Sequence, residues 1–179
     1  MVGSLPVARP ASSADRIATL FDTHYPRLFR LARRLTQSTD DAADVVQDTF
    51  VRAARAPSSI PEGHAAEEAW LVRVLVNIQR DRWRKDAARA RLTATQRQPT
   101  SDPGHEGAVI AHASVWRALE TLTPRRRAVV VLHDLEQRPN AEIARLLGIS
   151  QITVRWHLKV GHRDLARMLT RGGSREERQ

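Results

Sequence analysis

The chain of 179 residues contains no cysteine, which excludes disulfides, thiolate zinc sites and cysteine nucleophiles, and suits a reducing cytoplasm. No apolar run approaches the ~20 residues needed to span a bilayer, so membrane insertion is not expected. The first residues, MVGSLPVARPASSA, lack the apolar core of an export signal. There is no paired-histidine motif, no glycine-rich phosphate loop and no repeated unit. What is abundant is positive charge, +9 in all. It is unevenly placed. From Asp15 to Val72 acids outnumber bases nine to seven, whereas Arg73 to Arg91 holds seven bases against two acids, and Ser114 to Arg171 eleven against five. Two basic blocks set apart in this way suggest two contacts with a polyanion.

The densest pattern is PNAEIARLLGISQITVRWHLKVGHR, from Pro139 to Arg163. It reads as helix, tight turn and helix. Ala144 is small where two helices cross, Gly148 suits a left-handed turn, and Val154 falls on the buried side with Ile143, Leu146, Leu147, Ile149 and Leu158. Ser150 stands at the N-cap of the second helix. That helix then presents Gln151, Thr153, Arg155, Trp156, His157 and Lys159 outward near its start, as a major-groove reading helix does. A hairpin that merely packs has no use for Arg155, Lys159, Arg163, Arg167 and Arg171 on its second helix. Phosphate binding does.

In chain order, residues 1–14 read as a flexible leader. Ile17, Leu20, Phe21, Leu28, Leu31, Ala32 and Leu35 give one or two helices, with Pro26 an interruption or a first-turn position. Thr39, Asp40 and Asp41 open DDAADVVQDTFVRAAR, where Asp44, Gln47 and Asp48 share one exposed side at spacings of three and four. A stripe of this kind is by itself more often a solvated face than a site. An enzymatic reading would make Asp40, Asp41, Asp44 or Asp48 metal ligands, but no histidine accompanies them, so neither metal nor cofactor is expected. Ala56 to Glu68 reads as a loop long enough to be functional. Trp70 to Lys85 then reads as a helix whose polar side carries Arg73, Asn77, Arg80, Asp81 and Arg84, with Trp83 interleaved to support a base. Residues 92–107 are a flexible linker. Val109, Val115, Trp116, Leu119 and Leu122 resume a helical pattern, and Thr123 with Pro124 supplies an N-cap and a first-turn proline. Residues 172–179 read as a frayed tail.

Three segments together resemble the extracytoplasmic-function branch of the sigma-70 family of RNA polymerase sigma factors. DDAADVVQDTFVRAAR is similar to the family's region 2.2, WLVRVLVNIQRDRWRK to regions 2.3 and 2.4, and LETLTPRRRAVVVLHDLEQRPNAEIARLLGISQITVRWHL to region 4. The resemblance implies an all-α fold of two small helical domains: residues 15–91 as region 2 and 108–171 as region 4 with its helix-turn-helix. It implies a cytoplasmic transcription initiation factor with no active site, which binds core RNA polymerase and directs it to promoter DNA. Asp44, Gln47, Asp48 and Arg52 would dock on the clamp coiled coil of the polymerase. Asn77, Arg80, Asp81, Arg84 and Lys85 would approach the minus-ten element. Gln151, Thr153, Arg155, Trp156, His157 and Lys159 would read the minus-thirty-five element, with Trp156 either on DNA or packed. An anti-sigma factor is an expected partner. Ile152, Trp156 and His157 stand where many members have glycine, serine and arginine, and Gly161 weakens a helix by ~1 kcal/mol relative to alanine. The competing expectation is an operator-binding helix-turn-helix regulator that acts without polymerase, which leaves the basic helix from Asn77 to Lys85 without a task.

Overall fold

The longest early helix decides how the rest is arranged. The computed structural model describes residues 13–93 and 117–176, with side chains over 13–89 and 117–169; the linker expected at 92–107, and Val109, Val115 and Trp116, fall almost wholly outside them. Helix α1 is Ser13–Leu35, α2 Thr39–Arg55 and α3 His64–Thr93; after a helical end at 117–120 come α4 Pro124–Val130, α5 Asn140–Leu147 and α6 Gln151–Glu176. No strand occurs among the described residues.

Helix α3 is apolar on two sides over its first half, where Ala69, Leu71, Val72, Leu75 and Val76 are all buried. One side closes a first lobe with α1 and α2, around Leu28, Leu31, Val45, Val46 and Phe50. The other packs on α4 and α5 of a second lobe, whose interior is Leu122, Leu132, Ile143, Leu146, Val154 and Leu158. One continuous apolar core therefore runs through both lobes. Each such side chain contributes roughly 1.5–3 kcal/mol on burial.

Several boundaries differ from those read in the sequence. Helix α1 runs unbroken through Pro26, which is exposed, so the missing N–H and the ring meet solvent rather than a packed neighbour. The cap of α2 is Ser38, whose hydroxyl accepts the Asp41 N–H at 3.0 Å, one residue ahead of the expected start. The loop expected over Ala56 to Glu68 shrinks to a 3-10 turn at Pro57–Ser59 and a short bend, because the Gly63 carbonyl already accepts the Ala66 and Glu67 N–H groups. Helix α3 thus begins six residues before Trp70 and continues to Thr93. Thr123 makes no side-chain cap for α4, although Pro124 takes the first-turn position. Helix α6 runs on to Glu176, through the start of the expected tail.

Between α4 and α5 the backbone widens into a π turn at Val131–Leu135. It closes with the Glu136 N–H on the Val131 carbonyl, after which Gln137 adopts φ 54°. A left-handed backbone at a residue other than glycine is uncommon, and here it reverses the chain and turns Glu136 toward the first lobe.

Candidate polymerase and nucleic-acid interface

The seam between the lobes is polar at its edge and is held by arginine. Glu136, 6% exposed, accepts from Arg27 Nη1 at 2.7 Å and from Arg34 Nη1 at 3.0 Å, both on α1. Arg27 also donates to Glu68 at 2.6 Å. Burial alone would push the Glu68 carboxyl up, but the Arg27 hydrogen bond prevails and holds it below the usual carboxylate range. Arg127 of α4 is buried and donates to the Leu35 carbonyl and the Leu119 carbonyl, each at 2.8 Å. Its pKa is lowered by burial, opposed by nearby Glu120, yet a guanidinium stays protonated. The Leu35 carbonyl ends α1 without an intrahelical partner, and Arg127 and Gln79 together satisfy it. None of these seam residues was signalled by the sequence. The contacts that join the two lobes lie about a hundred positions apart, 109 for Arg27 and Glu136 and 92 for Arg127 and Leu35.

On the first lobe, Asp44, Gln47, Asp48 and Arg52 are all exposed along the outer side of α2. Asp48 pairs with Arg82 of α3 at 2.6 Å, which fixes one end of the stripe against α3. Asn77, Arg80, Asp81, Arg84 and Lys85 occupy one side of α3, Arg84 and Lys85 exposed and Arg80 turned onto Asp81 at 3.2 Å. Two residues expected beside them are elsewhere. Trp83, 45% exposed, lines a cleft with Gln79, Arg82, Asp86 and Arg127 at the seam. Arg73 reaches the turn of the second lobe, where its Nη2 donates to the Arg145 carbonyl at 3.4 Å.

That turn is built as its residues require. Gly148 has φ 63°, a backbone conformation that favours glycine, and a Cβ there would lie 3.0 Å from the flexible end of Arg73, which would have to give way. Ser150 Oγ accepts the Thr153 N–H at 3.1 Å and starts α6. Val154 and Leu158 are buried beneath it. Gly161 is buried too, and a Cβ would meet Val130 Cγ2 at 2.8 Å; the low helix propensity of this glycine is the condition for α6 to lie close against α4.

With Val154, Leu158 and Gly161 inward, the outward side of α6 is fixed. Gln151, Arg155, Trp156 and Lys159 are exposed, as expected. Thr153 is half-buried, its hydroxyl 2.8 Å from that of Ser150, and so belongs to the cap. His157 is half-buried; burial and then the charges of Arg126 and Arg125 push its imidazole below the usual histidine range. Trp156 is not packed inside: it is 53% exposed, with the Arg126 guanidinium 5.6 Å from the ring centre. Arg163 continues the cationic row, as its place among the second-helix cations implied, while Ile152, not expected among the contact residues, stands 71% exposed one turn ahead of Trp156. Its spacing of four from Trp156 was the available signal.

Among the described residues there is no group of three metal-binding side chains, and no helix is long and apolar enough to cross a membrane.

Comparison with known proteins agrees with this geometry. Residues 20–89 match Sigma-70 region 2, and residues 112–161 match Sigma-70, region 4. The chain is 34% identical over 159 residues to the ECF RNA polymerase sigma factor SigM of Mycobacterium tuberculosis, covering 88% of this chain and 80% of that protein. It is 34% identical over 149 residues to the RNA polymerase sigma-E factor of Streptomyces coelicolor, covering 82% and 80%. Among solved structures, CnrH in complex with the cytosolic domain of CnrY superposes with a TM-score of 0.58 at 26% identity, over 86% of this chain and 87% of that one. The sigma factor RpoE in complex with the anti-sigma factor NepR from Bartonella quintana shares the fold, with a TM-score of 0.66 at 21% identity over 87% and 97%. Two sigma regions in order, with relatives 34% identical over more than four fifths of this chain, place the chain in the sigma-70 family, as an extracytoplasmic-function RNA polymerase sigma factor that directs transcription initiation.

Proposed function

We propose that this chain divides the work of a sigma factor among three outward surfaces, acting by binding and without a reaction of its own, in the cytoplasm. The stripe Asp44, Gln47, Asp48 and Arg52 docks on the clamp coiled coil of core RNA polymerase. Asn77, Arg80, Asp81, Arg84 and Lys85 approach the minus-ten element, where cations along α3 follow the backbone of the opened strand. Gln151, Arg155, Trp156 and Lys159 read the minus-thirty-five element from the major groove, while Thr153 and His157 support the helix from its flank. The observation that carries the reading is the Ser150-capped start of α6, exposed and cationic on one side and buried on the other.

Both DNA surfaces belong here to one packed unit, in which α3 lies against α5. A chain of this size folded as one unit spans about 40 Å. Elements 25 base pairs apart lie roughly 85 Å apart on B-form DNA at 3.4 Å per step. Reading both at once therefore requires the seam at Glu136 and Arg127 to part when polymerase binds. An anti-sigma factor is the expected antagonist: it would act by covering the docking stripe or by holding the seam closed.

The test is binding to core polymerase by the wild type and by an Asp44→Lys, Asp48→Lys double variant. Both carboxylates are exposed, and the Asp48 pair with Arg82 is a surface pair worth ~0–1 kcal/mol, so the fold should persist. Expected is a loss of core affinity of at least about tenfold, or ~1.4 kcal/mol, with an unchanged thermal melt. Equal affinity with an intact fold would remove α2 as the docking surface.

A further inference from the structure

Two large apolar side chains stand in the open in the first two turns of the reading helix: Ile152, 71% exposed, and Trp156, 53% exposed. At 100° per residue, Ile152, Trp156, Lys159 and Arg163 fall within an arc of about 60°, in the middle of the outward side. They cannot turn inward, because Val154, Leu158 and Gly161 hold the opposite side against α4 and α5. Trp156 is also steadied. Arg126 lies over its ring, and Arg126 is itself tied to Asp164 at 2.8 Å. The result is an apolar pair, i and i+4, in the first two turns of a capped helix and set among Arg155, Lys159 and Arg163.

Exposed isoleucine is unfavourable in water and contributes nothing to phosphate binding. A cationic surround selects DNA over an apolar protein segment as the occupant. In the major groove the apolar group on offer is the C5-methyl of thymine. We propose that Ile152 and Trp156 are specificity-determining residues that read thymine methyls in the upstream promoter element. Ile152 covers one methyl at the helix start, and the Trp156 ring covers the next. The inference rests on α6 being the groove-reading helix. It goes beyond that reading by naming the base feature recognised and by adding Ile152 to the contact set.

The experiment uses the full chain assembled with core polymerase on a promoter obtained by selection. Each thymine of the upstream element, on either strand, is replaced singly by uracil, which removes the methyl and leaves every hydrogen-bonding edge intact. Burying one methyl is worth about a fourfold change in affinity. The wild type should therefore bind about three- to fivefold more weakly at one or two positions, and Ile152→Ser should abolish the difference at one of them while binding the uracil duplex as the wild type does. Indifference to uracil at every position, on an element whose scrambling does weaken binding, overturns methyl reading and leaves the groove assignment standing. Indifference to scrambling removes the groove assignment itself, and methyl reading with it.

Discussion

Arginine is used in opposite ways at the seam and on the outer faces. At the seam, Arg27 and Arg34 converge on Glu136, and Arg127 sits buried on two helix-end carbonyls. On the outer face of α6, Arg155 and Lys159 are exposed and touch no carboxylate among the described residues. A cation surrounded by protein oxygen is committed to the fold, whereas one in solvent with no acceptor is available to a phosphate. Net charge does not separate the two groups. Burial and partners do.

The contrast breaks most visibly at Arg127. Arg127→Ala removes two buried hydrogen bonds from a charged donor, each worth ~1.5–3 kcal/mol, while Gln79 and the Leu122 N–H still reach the Leu35 and Leu119 carbonyls, so a thermal or denaturant melt should show a destabilisation of about 3 kcal/mol. A change within 0.5 kcal/mol would show that the seam does not depend on it. Glu136→Gln keeps the shape but removes the charge shared by Arg27 and Arg34. The expected loss is about 2 kcal/mol, together with a larger radius of gyration in small-angle scattering as the lobes separate more often. A smaller, pH-dependent effect belongs to Glu68. Its folded carboxyl titrates below the ordinary 4.5, so its contribution is present above that pH and is lost as pH falls through the folded value. Wild type should accordingly lose more stability than Glu68→Gln on acidification from pH 6 to below 4.5; parallel curves would deny the pair with Arg27. The smallest effect on stability is expected on the outer face. Arg155→Ala and Lys159→Ala should each shift the melt by less than ~0.5 kcal/mol, yet each should reduce the slope of log affinity for DNA against log salt by about 1.

What the residues disclosed in advance was local. Ser150, Gly148, Ala144 and Val154 act within a few positions of themselves, through a cap, a left-handed turn and a close crossing, and their spacing alone defined the helix-turn-helix. The acidic stripe of α2 was equally legible, since three- and four-residue spacing is enough to place residues on one side of a helix. The seam was not. A charge on α1 finds its partner beyond α3, and no periodicity connects Arg127 to the Leu35 carbonyl. Gly161 was read only in part for the same reason: its low helix propensity is local, but the Val130 methyl that demands a glycine comes from another helix. Trp83 shows the limit from the other side: periodicity did not tell that a rotation of about 100° around α3 carries it from the Asn77 and Arg84 side to the seam cleft, where it is still half exposed.

The most direct measurement is run-off transcription from a promoter library by core RNA polymerase, with and without the protein. New start sites that share a two-part motif, with elements near minus ten and minus thirty-five and dependent on the protein, are the predicted result. Duplex binding without core polymerase, and no new start sites with it, would contradict the account.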